Sequence, residues 1–429
     1  MAEPLKIALA GLGTVGGGVV RLLDANRELI ARRAGRAIEV VAVSARDRGK
    51  DRGFDLSRFQ WVDDTTALAQ TEADVVVELI GGSDGPALTL ARATLGAGKG
   101  LVTANKAMLA HHGLELASLA EGSGAALKFE AAVAGGVPVI KGLREGAAAN
   151  EIARVYGILN GTCNFILSKM EAEGRDFAEV LAEAQALGYA EADPSFDIDG
   201  VDAGHKLSIL ATVAFGTQPA FDGVATTGIR HVLGADIAEA AALGYRVRLV
   251  GVAEAGPHGL FQRVHPHLVP LDHPLAHVTG STNAVVAEGN YAGRLLFQGA
   301  GAGDGPTASA VAADLIDIAR GDCGAPYAMP AADLAEMPAA DPGERRSRAY
   351  LRFTVADRVG VLAEIAAAMR DAGVSIESLI QRGTHEDGGT VLVAIVTHEG
   401  PEHSVAQALE KLRGSQSLAG QPMWMHILG

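Results

Sequence analysis

Apolar residues in the first third of the chain alternate between short continuous runs and helical spacings. Residues 6–10 form a largely apolar run, and Val19, Val20, Leu22, Leu23, Leu29 and Ile30 follow at helical intervals. Residues 38–43, 74–80, 101–106 and 126–129 repeat the strand signal, with helical patterns between them. Short strands alternating with amphipathic helices predict a parallel, doubly wound sheet. Near residue 140 the pattern changes. A strand over 152–159, a helix, and strands at 260–264, 285–287 and 295–297 predict a second sheet, with polar turns such as His265-Pro266 and Gly289-Asn290. Residues 323–347 are rich in Pro, Ala, Gly and charge and read as a linker. Beyond them, the order strand (350–355), helix (360–370), strands (374–380 and 390–397), helix (404–412) and strand (424–428) is ferredoxin-like. The expected class is α/β: a doubly wound unit over 1–140 completed by a segment near 299–322, an α+β unit over 141–322, the linker, and a third unit over 348–429.

Composition narrows the function classes. Hydrophobic residues make up 48 % of the 429 and charged residues 20 %, a globular balance. The net charge of −15 and 4 % aromatic content argue against nucleic-acid binding, which rests on phosphate neutralisation and stacking. The two cysteines, Cys163 and Cys323, have neither metal-ligand spacing nor a disulfide framework. The start of the chain lacks a basic segment followed by an apolar one, and no uncharged run reaches membrane-spanning length. A cytoplasmic protein with no membrane partner is expected.

Chemistry enters through four stretches. Gly11-Leu12-Gly13-Thr14-Val15-Gly16 sits between the first strand and the first helix, the dinucleotide fingerprint of a Rossmann-type fold. The second strand ends in Ser44-Ala45-Arg46 rather than in an acidic residue, which favours a 2′-phosphate and hence NADP over NAD. Thr103, Asn105 and Lys106 follow a strand at the carboxyl edge, where a nicotinamide and its substrate would meet. A loop with Glu191, Asp193, Asp197, Asp199 and Asp202 runs into an apolar helix. There Asp199 is expected as cap and Asp202 as its capping-box partner, with Lys206 one turn beyond on the same face. As an ordinary ion pair this is minor, but a lysine oriented by an aspartate beside a pocket is also a proton donor. The turn from Glu130 to Pro138 either reverses the chain or offers carbonyls to a hard cation. Gly299 to Gly303 opens a second glycine-rich helix start, able to close over the dinucleotide from the other side.

Taken together, Gly11–Gly16, Val102-Thr-Ala-Asn-Lys106, Gly157-Ile-Leu-Asn-Gly-Thr162, the loop from Gly188 to Lys206, and Gly299–Gly303 with Pro306-Thr-Ala-Ser-Ala-Val311 resemble the homoserine dehydrogenases. Asp357-Arg-Val-Gly-Val-Leu362 and Ile376-Glu-Ser-Leu-Ile-Gln381 resemble an ACT domain. With no kinase segment ahead, the monofunctional bacterial type is expected. The resemblance implies reversible NAD(P)H-dependent reduction of aspartate 4-semialdehyde to homoserine, on the route to threonine, isoleucine and methionine. It implies Lys206 as acid/base with Asp202 beside it, Lys106 as a second catalytic lysine, Glu191 and Asp197 at the substrate ammonium, and Tyr189 and Thr162 lining the pocket. It implies cofactor contacts from Gly11, Gly13, Thr14, Val15, Gly16, Arg46, Thr103, Lys106, Gly301 and Gly303. Glu130, Val133, Gly135 and Val137 are implied to hold a monovalent cation, sodium foremost. A homodimer or homotetramer and threonine as effector complete the expectation. The competing readings are a phosphorylating semialdehyde dehydrogenase using Cys163, and a ligand sensor without chemistry; retention of Lys106, Asp202 and Lys206 argues against a sensor.

Overall fold

The computed structural model describes residues 2–382 and 389–429; Met1 and the stretch 383–388, inside the expected third unit, lie outside the described residues. The first unit carries β1 (Leu5–Ala10), α1 (Thr14–Ala25), α2 (Arg27–Ala34), β2 (Ile38–Ser44), β3 (Gln60–Trp61), β4 (Val75–Glu78), α3 (Pro86–Gly96), β5 (Gly100–Thr103), α4 (Lys106–Ser123) and β6 (Leu127–Lys128). Its six strands pair in parallel in the order β3-β2-β1-β4-β5-β6. Sheets of this kind are covered by helices on both faces, and β4 and β5 are accordingly buried along their whole length. The strand order reverses between β1 and β4, which opens a crevice at the carboxyl ends of the strands.

A second set of elements follows: α5 (Val139–Lys141), β7 (Ile152–Ile158), α6 (Gly161–Glu173), α7 (Phe177–Ala186), α8 (Ser195–Ile198), α9 (Val201–Phe215), β8 (Ala225–Thr226), α10 (Gly234–Ala242), β9 (Tyr245–Gly256), β10 (Gly259–Pro270), β11 (Thr282–Gly289), β12 (Gly293–Ala300) and α11 (Asp304–Ala319). Helix α11 returns to the first unit and packs on α1, so close that a Cβ on Gly18 would lie 2.7 Å from the Asp304 carbonyl oxygen. His265-Pro266, expected as a turn, instead lies inside β10, whose full length pairs with β9 in antiparallel register. Proline and histidine carry turn signals locally, but the long β9 partner overrides them.

The last elements are β13 (Arg346–Ala356), α12 (Val361–Asp371), β14 (Ile376–Arg382), β15 (Thr390–Thr397), β16 (Gly400–Pro401), α13 (Glu402–Leu412) and β17 (Met423–Ile427). Their order β17-β13-β15-β14 is ferredoxin-like, but the sheet does not end at β17. That strand pairs in parallel with β10 (His267 with His426, Leu268 with Ile427), making one sheet of 11 strands across the second and third units. An open strand edge exposes unsatisfied backbone groups, and docking on β10 covers one. One apolar core runs through the seam, with Tyr350, Met425 and Ile427 packed together with Leu249 and Leu268.

The stretch expected as a linker is strapped down rather than loose. Tyr327 is 1 % exposed, with its ring centroid 5.3 Å from that of Phe129. Ala335 N–H donates to the Gly216 carbonyl at 2.9 Å, and Leu260 N–H donates to Pro338 at 2.8 Å. The stretch carries a short 3-10 turn over Ala331–Asp333, and β13 begins inside it at Arg346, while its scattered apolar side chains Tyr327, Ala331 and Leu334 bury. Among the described residues, no helix is long and apolar enough to cross a membrane.

Candidate active site

Helix α9 lies across β7, β9 and β10 and is buried almost throughout. It starts after Gly200, which is left-handed (φ 88°) and supplies the break between α8 and α9. Asp199 does not cap this helix, contrary to expectation. Its carboxylate turns outward to the Arg230 guanidinium, with Oδ2 3.0 Å from Nη2. Asp202 makes no capping box either, because its carboxylate is drawn to two ammonium groups. Lys206 Nζ donates to Asp202 Oδ2 at 2.8 Å and to the Leu159 carbonyl at 2.8 Å. Lys106 Nζ stands 3.1 Å from Asp202 Oδ1. The aspartate is 4 % exposed and Lys206 9 %. Burial raises the Asp202 carboxyl, but the Lys206 and Lys106 ammoniums and the hydrogen bonds from Lys206 and Asn160 outweigh it and hold it well below the usual carboxylate range.

Lys106 reaches this point because α4 begins at it. Asn105 caps α4, its Oδ1 accepting from Met108 N–H at 3.1 Å while its Nδ2 donates to the Gly82 carbonyl at 2.7 Å. Thr103 Oγ1 donates to the buried Glu78 carboxylate at 2.6 Å and accepts Asn105 N–H at 3.0 Å. Thr103 therefore braces the strand ends beneath the crevice and does not line the cavity.

The remaining polar groups come from α6 and the acidic loop. Asn160 caps α6 through Oδ1, which accepts Cys163 N–H at 2.8 Å, and its Nδ2 lies 2.8 Å from both Asp197 Oδ1 and Asp202 Oδ2. Thr162 Oγ1 is 2.8 Å from the Tyr189 carbonyl and 3.2 Å from Asp197 Oδ2. Burial, reinforced by the Asp202 charge, raises the Asp197 carboxyl despite the Asn160 and Thr162 bonds. Tyr189 stacks on Phe165 with centroids 4.5 Å apart. Cys163 is fully buried with Sγ against the Asp197 carbonyl (3.3 Å), and burial pushes its thiol well up. A protonated, enclosed thiol is no nucleophile.

These groups face a cavity of about 520 Å³. Lys106, Thr162, Tyr189, Asp197, Asp202 and Lys206 line it, with Val15, Gly135, Gly301 and Gly303 of the glycine-rich turns. Glu191 is exposed and outside this lining. Asn160, Ser281, Asn283 and Thr307 also line the cavity. Asn160 and Thr307 stand in the motifs quoted above with no role of their own assigned, and Ser281 and Asn283 carry no local pattern.

The glycine loop has the steric pattern a dinucleotide needs. Gly11 has φ 101°, and a Cβ on Gly16 would fall 2.0 Å from the Gly11 carbonyl oxygen, whereas one on Gly13 would meet nothing within 4 Å. Helix α1 starts there, Thr14 and Val15 in its first turn, with no side-chain cap, so its N–H groups remain for an anion. Arg46 is exposed just past β2. Arg52, which sequence reasoning passed over, ties the two loops together: its Nε donates to the Leu12 carbonyl at 3.1 Å and Nη1 to that of Lys50 at 2.7 Å.

Around residues 130–137, Glu130 is buried and its carboxylate accepts N–H bonds from Ile140 (3.0 Å) and Lys141 (2.8 Å). Burial and the neighbouring Asp314 charge push the Glu130 carboxyl up to about 7 against those bonds. Ala134 (φ 56°) and Gly135 (φ 53°) are consecutive left-handed residues. A second cavity of about 180 Å³ lies in the third unit, lined by residues 355–362 with Gln381, Val391 and Val393.

Residues 138–316 match the family model described as homoserine dehydrogenase, residues 11–130 that of the homoserine dehydrogenase NAD binding domain, and residues 349–414 that of the ACT domain. The homoserine dehydrogenase of Pseudomonas aeruginosa is 45 % identical over 97 % of both chains, and that of Corynebacterium glutamicum is 42 % identical over 95 % of this chain and 92 % of its own. The crystal structure of a homoserine dehydrogenase from Thiobacillus denitrificans superposes with a TM-score of 0.93 at 42 % identity, covering 99 % of this chain and 98 % of that one. A hyperthermophilic archaeal homoserine dehydrogenase in complex with NADPH matches 73 % of this chain and 97 % of its own, with a TM-score of 0.64 at 29 % identity.

Proposed function

The chain belongs to the homoserine dehydrogenase family, and from that premise we propose that Lys206 is the proton donor and acceptor of the reaction. The enzyme interconverts homoserine and aspartate 4-semialdehyde with a nicotinamide dinucleotide, which supplies or accepts the hydride when bound. In the reducing direction the aldehyde oxygen gains negative charge, and Lys206 stabilises it and gives it a proton, leaving an alcohol. Lys106 adds a second positive charge from the cofactor side. Asp202 aims both lysine side chains, with an oxygen on each. Asp197, assisted by Glu191, takes the substrate ammonium, with Thr162 and Tyr189 shaping the pocket. The observation carrying this reading is one buried carboxylate shared by two lysines from different units.

NADP is the preferred cofactor in this reading, because Arg46 follows β2 where a 2′-phosphate would lie. Arg46→Ala is expected to raise KM for NADPH about tenfold while leaving KM for NADH unchanged, a phosphate contact being charge-assisted. Equal effects on both cofactors would remove the preference. Sodium is assigned to the turn at Glu130, Val133, Gly135 and Val137. Its support is the strained Ala134-Gly135 pair and the carbonyls of Val133 and Gly135, which accept no N–H among the described residues. The same assay in a large organic cation should lose activity; an unchanged rate would discard the site.

Threonine is the proposed effector, bound at the turn from Asp357 to Gly360 that borders the smaller cavity. Asp357→Ala should abolish inhibition by threonine with kcat intact, and a wild-type enzyme indifferent to threonine would leave the third unit a purely structural role. A homodimer or homotetramer is proposed because the long sheet ends in β12 and β14, where Leu296 and Leu379 are exposed. A sedimentation mass of one chain would contradict it.

A further inference from the structure

The two carboxylates of the site, Asp197 and Asp202, carry like charge in a largely buried setting, and something must hold them together. Among the described residues, the group that bonds both is the Asn160 amide. Its Nδ2 has two N–H bonds to give and gives one to each, at 2.8 Å. The orientation of the amide is fixed from the other side, because Oδ1 accepts the Cys163 N–H at the start of α6. A flipped amide would set its oxygen against two carboxylates. Asp202 Oδ2 also takes the Lys206 ammonium, so Asn160 and Lys206 bear on one oxygen atom.

We propose that Asn160 is a positioning residue for the reaction, locking the ammonium-binding Asp197 to the lysine-orienting Asp202 so that substrate and proton donor share one frame. This rests on the roles given above to Asp197 and Lys206. Asp197 binds an ammonium only as a carboxylate, so substrate affinity falls as pH drops through its pKa. Burial and Asp202 already raise that pKa, while Asn160, Lys206 and Thr162 counter them. Asp202 and Lys206 face it from α9 and Thr162 and Cys163 from α6, Lys106 of α4 lines the same cavity, and Asp199 follows two residues on. Loss of the Asn160 N–H bond removes one of the countering contacts, so the acid limb must move to higher pH.

Asn160→Asp can still accept the Cys163 N–H and keep the α6 cap but has nothing to give to Asp197 or Asp202. It also adds a third like charge that pushes the limb the same way, so the uncharged Asn160→Ser is the sharp test of the lost N–H bonds. In Asn160→Asp the acid limb of kcat/KM for homoserine should rise by about one pH unit or more, and KM at neutral pH by about tenfold, with a smaller fall in kcat. Asn160→Ser also keeps a capping oxygen and should shift the limb in the same direction by less. A limb and a KM at their wild-type values in Asn160→Ser, with circular dichroism unchanged, would overturn the proposal and leave Asn160 as a helix cap. A wild-type enzyme that oxidises no homoserine would instead strike at the roles of Lys206 and Asp197, and so the two failures are told apart.

Discussion

Lys206→Ala is expected to lower the rate of hydride transfer by about 10²–10⁴-fold while NADPH binding stays at its wild-type strength. The ammonium is almost enclosed, with bonds at 2.8 Å to the Leu159 carbonyl and to Asp202. Water therefore replaces it poorly as a proton source. The dinucleotide is expected against the glycine loops of the first unit, and α9 belongs to the second, so cofactor affinity should be indifferent to the change. Nor should the fold collapse. Asp202 loses one ammonium but keeps Lys106 at 3.1 Å and the Asn160 amide at 2.8 Å, so no bare charge is left buried. Single-turnover absorbance of NADPH, with cofactor binding followed by fluorescence, separates the two effects. Activity surviving near the wild-type level would move the donor to Lys106 or to solvent. Lys206→Arg should not rescue, because a guanidinium stays protonated and so neither gives a proton to the reduced oxygen nor takes one from the alcohol.

The parts of this arrangement that repeat at a local period were readable in the chain. An aspartate and a lysine four positions apart on an apolar helix must share a face, and a glycine pattern between strand and helix has few alternative uses. Lys106 could be placed at a strand end, but its meeting with Asp202 depends on how α4 packs on α9, which no local pattern encodes. Asn160 is legible as a cap and silent as a bridge for the same reason. Asp199 misled because an acidic residue ahead of a helix is a capping signal, whereas Gly200 takes the break and Arg230 takes the carboxylate. The seam between β10 and β17 was hidden too: each strand is complete on its own, and only tertiary pairing makes them neighbours.

That seam sets the second large effect. Asp236→Ala is expected to cost about 3–5 kcal/mol, the usual penalty for removing one partner of a buried ion pair. Asp236 is 0 % exposed on α10 of the second unit, and its Oδ1 accepts Arg352 Nε at 2.7 Å and Tyr350 O–H at 3.2 Å, both from β13 of the third. Its other oxygen accepts Leu233 N–H at 2.9 Å and so helps to start α10. Without it the Arg352 guanidinium keeps, among the described residues, the long contacts to the His231 carbonyl (3.3 Å) and Thr354 Oγ1 (3.4 Å), and the Tyr350 hydroxyl loses the Asp236 acceptor. The β10–β17 pairing is short, two residue pairs in register, and the Arg263–Glu402 pair at 2.6 Å and the Arg382 guanidinium of β14 on the buried Glu239 carboxylate of α10 are further charge contacts across the seam. Calorimetry should therefore show the third unit melting ahead of the rest, while hydride transfer at room temperature changes little. Adding Arg352→Met should recover part of the loss, because it removes the stranded charge and leaves apolar volume. A single transition at the wild-type temperature would mean that the shared apolar core, the backbone pairing and the remaining charge contacts carry the attachment without Asp236.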